Sequence, residues 1–481
     1  MCRINLEKSN KYKNAASASS ETETKNLGRP SKIPVPQWLK EFSDVFSNDG
    51  KQVYLVGGAV RDAVMGERAS DYDAATDAKP ECVKRLFKRV VPTGIKHGTV
   101  TVYFKGRKIE VTTFRAESDY KDGRRPQKIE FAPSIEEDLS RRDFTMNAIA
   151  ALLPQGLLVD PFNGVNDIKS RIIRCVGGSA ERFSEDGLRP LRAVRFCASL
   201  GFTPDRSALD AIPKSLHITA KVSAERVKDE LVKTLMCEKP LAALQIMEKT
   251  GLLGLILPEI AALRGVPQNG FHSFDALDHS FYALEWACLQ NHPLTVRLAA
   301  LFHDCGKKEC AILNENGLWT FYNHEKTSER ITRSALLRLR FPNALIEETA
   351  ALVKEHMFNY ESRWSDGAVR RFIARVGEKN INALFRLRLC DVYGFNRDPP
   401  EAGLLSEFEG RIKTALTAHC PLSLKDLALK GSDLIEAGFS EGPEIGAALN
   451  ALLQKVIEDP LLNEREKLLK AASSFKTAPP L

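Results

Sequence analysis

Two aspartates separated by one residue follow a glycine pair near the start of the chain. The glycines are Gly57 and Gly58, and the aspartates are Asp71 and Asp73. Glycines between a strand and a helix let backbone N–H groups approach a phosphate at a helix N-terminus, which favours negative charge. Carboxylates at positions i and i+2 of an extended segment point to one side, where they can hold Mg²⁺ beside substrate phosphates. The two motifs in this order therefore indicate chemistry on a phosphate group.

The segments around these motifs predict the elements that position them. Residues 53–56 form a short apolar run that is typical of a strand, and residues 59–66 (AVRDAVMG) predict a short helix. Residues 97–115 alternate apolar and polar side chains on both sides of Gly106, which indicates a β-hairpin. Glu110 would lie on the face of the second strand opposite its apolar neighbours. It is a candidate third carboxylate, with an exposed strand glutamate as the alternative.

A second polar motif occupies residues 140–151 (SRRDFTMNAIAA). We expect a helix to begin here with Ser140 as its N-cap, because apolar residues follow a good capping residue. Arg142 can bind a phosphate, since a guanidinium offers a planar fork of donors. Asp143 and Asn147 are four residues apart and would share one helical face. An ordinary solvated charge cluster is the alternative interpretation.

A third motif places hydrogen-bond acceptors and donors close together. Asp186, Arg189 and Arg192 are spaced three residues apart and would project from one helical face. Pro190 is compatible with that helix only if it falls in the first turn. Aspartate offers acceptors and arginine offers donors, so side by side they can imitate the Watson–Crick edge of a base. A surface salt bridge is the alternative.

A separate set of metal-ligand residues is spread over the second half of the chain. The chain has nine histidines, and four of them belong to this set. An adjacent His-Asp pair in an apolar helix needs partners or a metal, because buried polar groups without partners are costly. Imidazole suits transition metals, whereas the carboxylates of the N-terminal motif suit Mg²⁺. The set consists of His279, His303, Asp304, His324, His356 and Asp391.

Length and composition limit the class of protein. A chain of 481 residues is too long for one ordinary core, and 43% hydrophobic with 27% charged residues is typical of a soluble globular protein. The net charge of +7 suits a polyanionic partner. The ten cysteines include no CxxC pair, so we expect reduced thiols in a cytoplasmic protein. No apolar run approaches the roughly 20 residues that span a bilayer, so no membrane partner is expected.

Together the motifs resemble those of the class II nucleotidyltransferases, a family of CCA-adding tRNA nucleotidyltransferases and bacterial poly(A) polymerases. The resemblance covers about residues 53–391 and rests on GGAVRD, DYD, RRDFTMNA and EDxxR. It implies that Asp71 and Asp73 are catalytic Mg²⁺ ligands and that Glu110 joins them. The residues that it implies contact the nucleotide are Gly57, Gly58, Arg61, Arg142, Asp143, Asn147, Asp186, Arg189 and Arg192.

The resemblance implies an activity as well. It is the template-independent addition of CCA to the 3′ end of tRNA, from CTP and ATP, by two-metal nucleotidyl transfer. Residues 118–131 resemble the mobile loop of enzymes that add the terminal adenosine. Two alternatives stay open within the family, namely an A-adding enzyme with a separate CC-adding partner and a bacterial poly(A) polymerase. A phosphohydrolase whose head only binds RNA is a third alternative, from another class.

The histidine and aspartate set resembles the HD phosphohydrolase superfamily, a helical metal-dependent fold. This implies a second metal site, with a transition metal and phosphohydrolase activity on 2′,3′-cyclic phosphates or small phosphomonoesters. An inactive helical bundle is the alternative. Cys305 stands where an aliphatic residue is usual, and we expect it to point away from the site. The ERxxxEL element at residues 225–231 is expected to brace the helices around it.

The fold class that follows is an α+β nucleotidyltransferase head, with a small mixed sheet and helices, followed by an all-α neck, HD-type body and tail. The sequence does not predict the oligomeric state. The predicted domains are a disordered tail (1–31), the head (32–166), a neck for base recognition (167–236), a helical body (237–275), the HD domain (276–399) and a helical tail that could contact tRNA (400–481).

Overall fold

A computed structural model describes most of the chain, in the ranges 32–69, 71–95, 98–116, 131–268, 274–418 and 420–475. The predicted N-terminal tail (1–31) and the adenosine-type loop, apart from Phe131, lie outside the described residues. The chain divides into two compact units. The first unit runs to Arg115 and also includes Phe131–Leu139 and Met146–Lys169, whereas the second contains Ser140–Thr145 and the chain from Ser170 onward.

The first unit is built on a seven-stranded mixed sheet, which confirms the predicted head. Its strands lie in the order β3-β4-β5-β2-β1-β6-β7, and the β2–β5 pair is parallel whereas the other pairs are antiparallel. Its elements are α1 (Gln37–Ser47), β1 (Val53–Val56), α2 (Gly58–Met65), β2 (Asp73–Thr76), α3 (Pro80–Leu86), β3 (Val90–Gly94), β4 (Thr99–Phe104), β5 (Arg107–Thr113), α4 (Ile135–Ser140), β6 (Ala150–Leu152), β7 (Leu157–Val159) and α5 (Gly164–Lys169).

The local sequence explains the strands that carry the phosphate motif. All four side chains of β1 are buried, as its uninterrupted apolar run requires in a central strand. The predicted hairpin forms from β4 and β5, and its turn residues Lys105 and Gly106 both have positive φ, 47° and 75°. Two positive φ values match the turn whose twist suits a two-residue hairpin. Glu110 therefore lies on the exposed face of β5, beside the buried Ile109 and Val111.

The helix expected from residue 140 onward was wrong. Ser140 is the last residue of α4 rather than an N-cap, Thr145–Asn147 form one 3-10 turn, and the chain then enters β6. Residues 143–151 are all buried, which an amphipathic surface helix cannot achieve. β6 instead pairs with β1 on one side and β7 on the other, so the sheet satisfies its backbone hydrogen bonds.

The described residues of the second unit form helices and two small strand pairs, β8–β9 and β10–β11, which confirms the predicted all-α architecture in the main. Its elements are β8 (Ile172–Ile173), α6 (Ser179–Glu185), α7 (Arg189–Leu200), β9 (Thr203–Pro204), α8 (Arg206–Thr219), α9 (Ala224–Leu235), α10 (Leu241–Lys249), α11 (Leu252–Ile256), α12 (Pro258–Ala261), α13 (Ala276–Leu289), α14 (Leu294–Phe302), α15 (Lys307–Cys310), β10 (Ile312–Leu313), β11 (Trp319–Thr320), α16 (His324–Arg338), α17 (Asn343–Glu355), α18 (Asp366–Val376), α19 (Glu378–Asn396), α20 (Gly403–Thr417), α21 (Gly431–Glu436), α22 (Pro443–Glu458) and α23 (Arg465–Ser473).

The helices of this unit pack around cores in two places. Helices α13, α14, α17 and α19 pack against one another. Of the histidine and aspartate set, α13 and α19 carry His279 and Asp391, and α14 and α17 end directly before His303 and His356. The C-terminal helices have a small hydrophobic core of their own, which includes Leu434, Leu452 and Val456. Within the described ranges, no helix is both long enough and apolar enough to cross a membrane.

Candidate functional site

The glycine pair makes the expected turn from strand to helix. Gly57 has φ 68° and ψ −133°, a backbone conformation that essentially only glycine adopts, and it is the N-cap of α2. Its carbonyl accepts a hydrogen bond from the Arg61 backbone N–H at 3.2 Å. As at any helix N-terminus, the first N–H groups of α2 have no carbonyl acceptor within the helix, so they can bind an anion.

The carboxylates of the DYD motif lie next to this turn. Asp73 pairs with Val56, the residue that precedes Gly57, and on its other side with Glu110 of the parallel strand β5. The Glu110 backbone N–H donates to the Tyr72 carbonyl at 3.2 Å. Asp71, Asp73 and Glu110 are all exposed. The structure thus brings Glu110 beside Asp73, as the sequence predicted.

The charge on these carboxylates acts on a neighbouring lysine. Lys108 donates a hydrogen bond to Glu110 Oε1 at 3.1 Å, and Glu110 raises the pKa of Lys108, with smaller contributions from Tyr103 and then Asp71. Exposed carboxylates that attract a cation in this way are the oxygen ligands that Mg²⁺ prefers. The donor set of Asp71, Asp73 and Glu110 therefore fits Mg²⁺.

A tryptophan that the sequence analysis missed supports the DYD motif. Trp38 of α1 meets Tyr72 edge-on, with ring centroids 4.9 Å apart, and the Arg107 guanidinium lies 4.8 Å from the Trp38 ring. Tyr72 stands between the two aspartates, so this contact restrains the segment that carries them. An aromatic residue inside the DxD motif was the available signal, but its partner in α1 is distant in sequence.

Arg61 and Asn147 form a second part of the first unit's site. Arg61 Nη1 donates to Asn147 Oδ1 at 3.0 Å, and its Nε and Nη2 atoms bind Asp62 Oδ1 at 3.0 and 2.7 Å. Asn147 therefore lies beside the helix that follows the glycine turn. The structure brings these two predicted nucleotide-binding residues together.

Asp143 has different neighbours, so its predicted place on one helical face with Asn147 was wrong. Its Oδ2 accepts a hydrogen bond from Arg192 Nε at 2.7 Å, and its Oδ1 accepts one from the Phe144 N–H at 2.8 Å. Arg142 precedes it in the turn after α4 and is half-buried. Asp143 and Arg192, which the sequence placed in separate motifs, thus form one ion pair of the second unit.

The predicted single face of Asp186, Arg189 and Arg192 was wrong for Asp186. That residue ends α6 in an extended conformation, whereas the other two lie on α7. The break has a steric cause, because a Cβ on Gly187 would lie 2.6 Å from the Ile218 carbonyl oxygen. Only glycine allows this approach, and α7 then starts at Arg189 with Pro190 in its first turn, as predicted.

Ion pairs hold in place the two residues that the sequence predicted to recognise the base. Asp186 Oδ2 accepts from Arg226 Nη2 at 2.7 Å, and Asp186 Oδ1 accepts from the Leu188 N–H at 3.0 Å. Arg189 is buried against Glu185 and donates to the carbonyl of Arg182 at 2.8 Å. The partner roles of Glu185 and Arg226 were not predictable from the sequence, although both residues belong to motifs that stand out in it.

The predicted brace at residues 225–231 has a clear basis. Glu230 on α9 is 4% exposed and accepts from Arg195 Nε of α7 at 2.6 Å. Leu231 beside it is also buried. Ser223 occupies the N-cap position of α9, but its side chain makes no capping hydrogen bond.

The six residues of the histidine and aspartate set converge at one buried place, from five elements and their ends. His279 Nε2 lies 3.0 Å from His303 Nε2 and 3.1 Å from Asp391 Oδ1, and these three form one candidate metal group. Asp304, His324 and His356 form a second group.

Asp304 joins the two groups. Its Oδ1 lies 3.2 Å from His324 Nε2 and 3.8 Å from His356 Nε2, whereas its Oδ2 lies 3.3 Å from His303 Nε2. His324 and His356 are themselves 3.3 Å apart through their Nε2 atoms. One carboxylate thus presents an oxygen to each group.

Backbone carbonyls determine which imidazole nitrogen can bind a metal. The Nδ1 atoms of His303, His324 and His356 lie 2.9, 2.9 and 2.6 Å from carbonyl oxygens three residues earlier. In the neutral form that binds a metal, each Nδ1 therefore carries the proton and donates it, which leaves a lone pair on Nε2. Converging lone pairs and carboxylates are stabilised by a cation, so this donor set fits a transition metal.

The electrostatics of the site favour positive charge. Burial alone would lower the pKa of His303, but the carboxylates of Asp304 and Asp391 raise it to about 10. Burial would raise the pKa of both aspartates, but the histidines hold it well below its usual range. Burial and the neighbouring His303 lower the pKa of His356 to about 3. Positive charge is thus stabilised on His303, beside the carboxylates of Asp304 and Asp391.

Glycines permit the close packing of this cluster. A Cβ on Gly394 of α19 would lie 2.8 Å from the His279 ring, and one on Gly306 would lie 2.6 Å from the Ser328 backbone nitrogen. Cys305 is buried against α16, with its Sγ 3.6 Å from the Ser328 carbonyl. This position agrees with the expectation that Cys305 points away from the site.

Family models match three parts of the chain. Residues 53–174 match the poly A polymerase head domain, and residues 201–263 match a “Probable RNA and SrmB- binding site of polymerase A”. Residues 312–472 match “tRNA nucleotidyltransferase domain 2”. With the glycine turn, the carboxylates and the mixed sheet, these matches define a nucleotidyltransferase.

Relatives over nearly the whole chain identify the family. A CCA-adding enzyme of Lactiplantibacillus plantarum is 33% identical over 438 residues, which is 91% of this chain and 95% of the relative. That of Geobacillus kaustophilus is 34% identical over 428 residues, 87% of this chain and 92% of the relative. The crystal structure of the Bacillus stearothermophilus CCA-adding enzyme in complex with CTP has a TM-score of 0.69 at 29% identity, covering 92% of this chain and 97% of that one. The chain belongs to the CCA-adding enzyme family.

Proposed function

We propose that this protein adds CCA to the 3′ end of tRNA from CTP and ATP without a nucleic-acid template. The single observation that carries the proposal is the placement of Asp73 between the glycine turn and Glu110. The family membership supports it, and so does the match to a CCA-adding enzyme in complex with CTP. We further propose that it acts in the cytoplasm, which is compatible with free cysteines in the described part of the chain.

In this proposal the first unit handles the phosphates. Asp71 and Asp73 supply ligands for two Mg²⁺ ions, and Glu110 adds negative charge beside them. When bound, these ions lower the pKa of the tRNA 3′-hydroxyl and neutralise the triphosphate and the pyrophosphate leaving group. The N–H groups at Gly57 and Gly58 bind phosphate oxygens together with Arg61.

The second unit recognises the nucleoside in this proposal. Asp143 accepts a hydrogen bond from the ribose, and Arg142 and Arg192 add donors nearby. Asp186 and Arg189 recognise the base through acceptors and donors. The ion pairs that hold both residues support this role, since fixed hydrogen-bonding groups discriminate better than mobile ones.

One assay tests the proposed activity and separates it from its alternatives. Purified protein is incubated with tRNA lacking CCA and with CTP and ATP, offered separately and together, and the 3′ ends are sequenced. We expect CC from CTP alone and CCA from both. Addition of A only to tRNA that already ends in CC would indicate an A-adding enzyme. Long A tails would indicate a poly(A) polymerase, and no addition would contradict all three.

Replacing Asp186 by alanine should reduce nucleotide selectivity as well as rate. A site built on hydrogen bonds to a base discriminates on the order of 10⁴-fold, and the variant loses the acceptors. Misincorporation of UTP and GTP, measured by sequencing the 3′ ends, reports the loss. Asp229→Ala, which removes an exposed carboxylate from α9, is the matched control. Equal slowing with all four nucleotides would show that Asp186 does not recognise the base.

We also propose that the histidine and aspartate cluster is a second, independent metal centre that hydrolyses phosphate esters. Its six side chains would hold transition-metal ions, in two groups joined by the Asp304 carboxylate. Bound metal of this kind supplies a water nucleophile near neutral pH. The orientation of three imidazoles through their Nδ1–H groups supports metal binding, because such outer contacts are typical of histidine ligands.

A further inference from the structure

A buried lysine lies directly against the metal-ligand cluster. Lys307, the first residue of α15, is 8% exposed, and its Nζ lies 2.7 Å from Asp304 Oδ2. It also donates to Gln268 Oε1 and lies 5.5 Å from the centre of the Phe321 ring. A buried ammonium is costly unless opposite charges and hydrogen-bond acceptors surround it.

The partner of this lysine has an unused donor. Gln268 Nε2 is buried and has no hydrogen-bond partner among the residues that the structure describes. The Gln268 amide oxygen accepts from Lys307, and the amide nitrogen is bonded to the same carbon as that oxygen. The Lys307 ammonium and the Gln268 N–H groups are therefore close together. A buried N–H without an acceptor is rare in folded proteins, and a ligand oxygen would satisfy it.

The charge balance of the centre calls for an anion. Arg388 flanks the cluster on the Asp391 side, where its Nη1 lies 2.9 Å from Asp391 Oδ2. The charges of Lys307 and Arg388 therefore offset those of Asp304 and Asp391. Divalent ions held by neutral imidazoles would add positive charge that these protein side chains do not compensate.

We propose that Lys307 and Gln268 form a phosphate-binding subsite of this centre, which takes a terminal phosphomonoester in preference to a 2′,3′-cyclic phosphate. The inference rests on the proposed metal centre and names its substrate class. A phosphomonoester carries a charge of about −1.5 to −2 at pH 7 and three terminal oxygens. These oxygens and this charge suffice to contact the metal ions, the Lys307 ammonium and the Gln268 amide at the same time. A cyclic phosphodiester has one charge and two such oxygens.

The chemical step that this subsite serves is an ordinary hydrolysis. The oxygen of a water molecule forms a bond to phosphorus, and the ester P–O bond breaks. The proton lost by the water goes to the departing alcohol, so the products are the alcohol and inorganic phosphate. No oxidant or reductant is needed.

Titration calorimetry on full-length protein loaded with Mn²⁺ tests the subsite, with inorganic phosphate and 2′,3′-cyclic CMP as probes. We expect phosphate to bind more tightly than the cyclic nucleotide. Gln268→Leu and Lys307→Met should each weaken phosphate binding about tenfold or more, as expected for lost hydrogen bonds to a charged group. Elemental analysis should show unchanged Mn²⁺ in Gln268→Leu. Gln290→Leu, at an exposed glutamine of the same unit, is the control and should bind as the wild type does.

The outcomes separate this inference from the proposal beneath it. If the wild type binds no transition metal, the proposed metal centre is wrong, and so is the proposed phosphate-binding subsite. If the metal binds but both variants keep wild-type phosphate affinity, or the cyclic nucleotide binds as tightly as phosphate, the metal centre stands and the subsite is overturned. A variant that has lost its metal or its thermal transition is replaced by Gln268→Glu, whose negative charge should repel phosphate.

Discussion

Replacing Asp71 or Asp73 by alanine is expected to abolish nucleotide addition while the protein stays folded. Each variant removes a carboxylate ligand that no neighbouring side chain can replace. Loss of metal stabilisation worth several kcal/mol corresponds to a fall in rate of about a thousandfold or more. Single-turnover addition of CMP to tRNA lacking CCA measures the effect.

The fold of these variants should be unchanged, and this can be checked directly. Both aspartates are exposed, and removing one negative charge from a crowded acidic site costs little stability. Thermal unfolding should therefore follow that of the wild type. Asp44→Ala removes an exposed carboxylate from α1 of the same unit and should keep full activity. Near-normal turnover in Asp71→Ala or Asp73→Ala would exclude that residue as a metal ligand.

Local sequence patterns predicted well the elements of the first unit that carry the proposed catalytic residues. The strand, glycine turn and helix at residues 53–66 and the hairpin around Gly106 depend on short-range preferences, which a sequence displays directly. The position of Glu110 beside Asp73 followed because a strand alternates its faces.

The polar motifs of the second unit were harder to predict, because their partners are distant in sequence. Asp143 binds Arg192, and Asp186 binds Arg226, across 49 and 40 residues respectively. Spacing alone suggested one helical face in each case. Residues 143–151, which form a turn and a strand, are buried on all sides. Their sequence therefore shows no alternation of apolar and polar residues from which the strand could have been predicted.

For the histidine and aspartate cluster, the sequence predicted the residues but not their arrangement. Its members were identified from residue type, and the helical body brings them together although His279 and Asp391 are 112 positions apart. The sequence did not indicate their division into two groups or the bridging position of Asp304. Those features depend on how α13, α14, α17 and α19 pack, and no local pattern encodes such packing.

This packing also connects the cluster to the helix that carries Arg226. Arg297 of α14 is 1% exposed and donates to the carbonyls of Leu235 and Cys237, at the C-terminal end of α9. A cation at a helix C-terminus is favourable, and its loss from a buried place would be severe. Any test of the cluster must therefore avoid disturbing α14, since damage there would reach the proposed base-recognition residues.

A conservative double variant of the cluster, His303→Gln with Asp304→Asn, is expected to lose transition metal and phosphohydrolase activity while CCA addition continues. The replacements keep the approximate size of both side chains, so they leave no cavity in the core. They remove an imidazole from one metal group and the charge of the carboxylate that joins both groups. The carboxylates proposed for nucleotide addition lie in the first unit and are untouched.

Three measurements on one preparation decide this prediction. Elemental analysis gives the bound Ni²⁺, Mn²⁺, Fe²⁺ or Co²⁺, release of phosphate from phosphomonoesters and cyclic phosphates gives hydrolysis, and extension of tRNA gives nucleotide addition. His217→Gln, at a histidine of α8 outside the cluster, is the matched control and should keep all three. Equal loss of tRNA extension and hydrolysis would show that the two sites are not independent. The second centre would be contradicted if wild-type protein holds none of these metals and hydrolyses no phosphate ester when they are added. The histidines and aspartates would then only connect the helices.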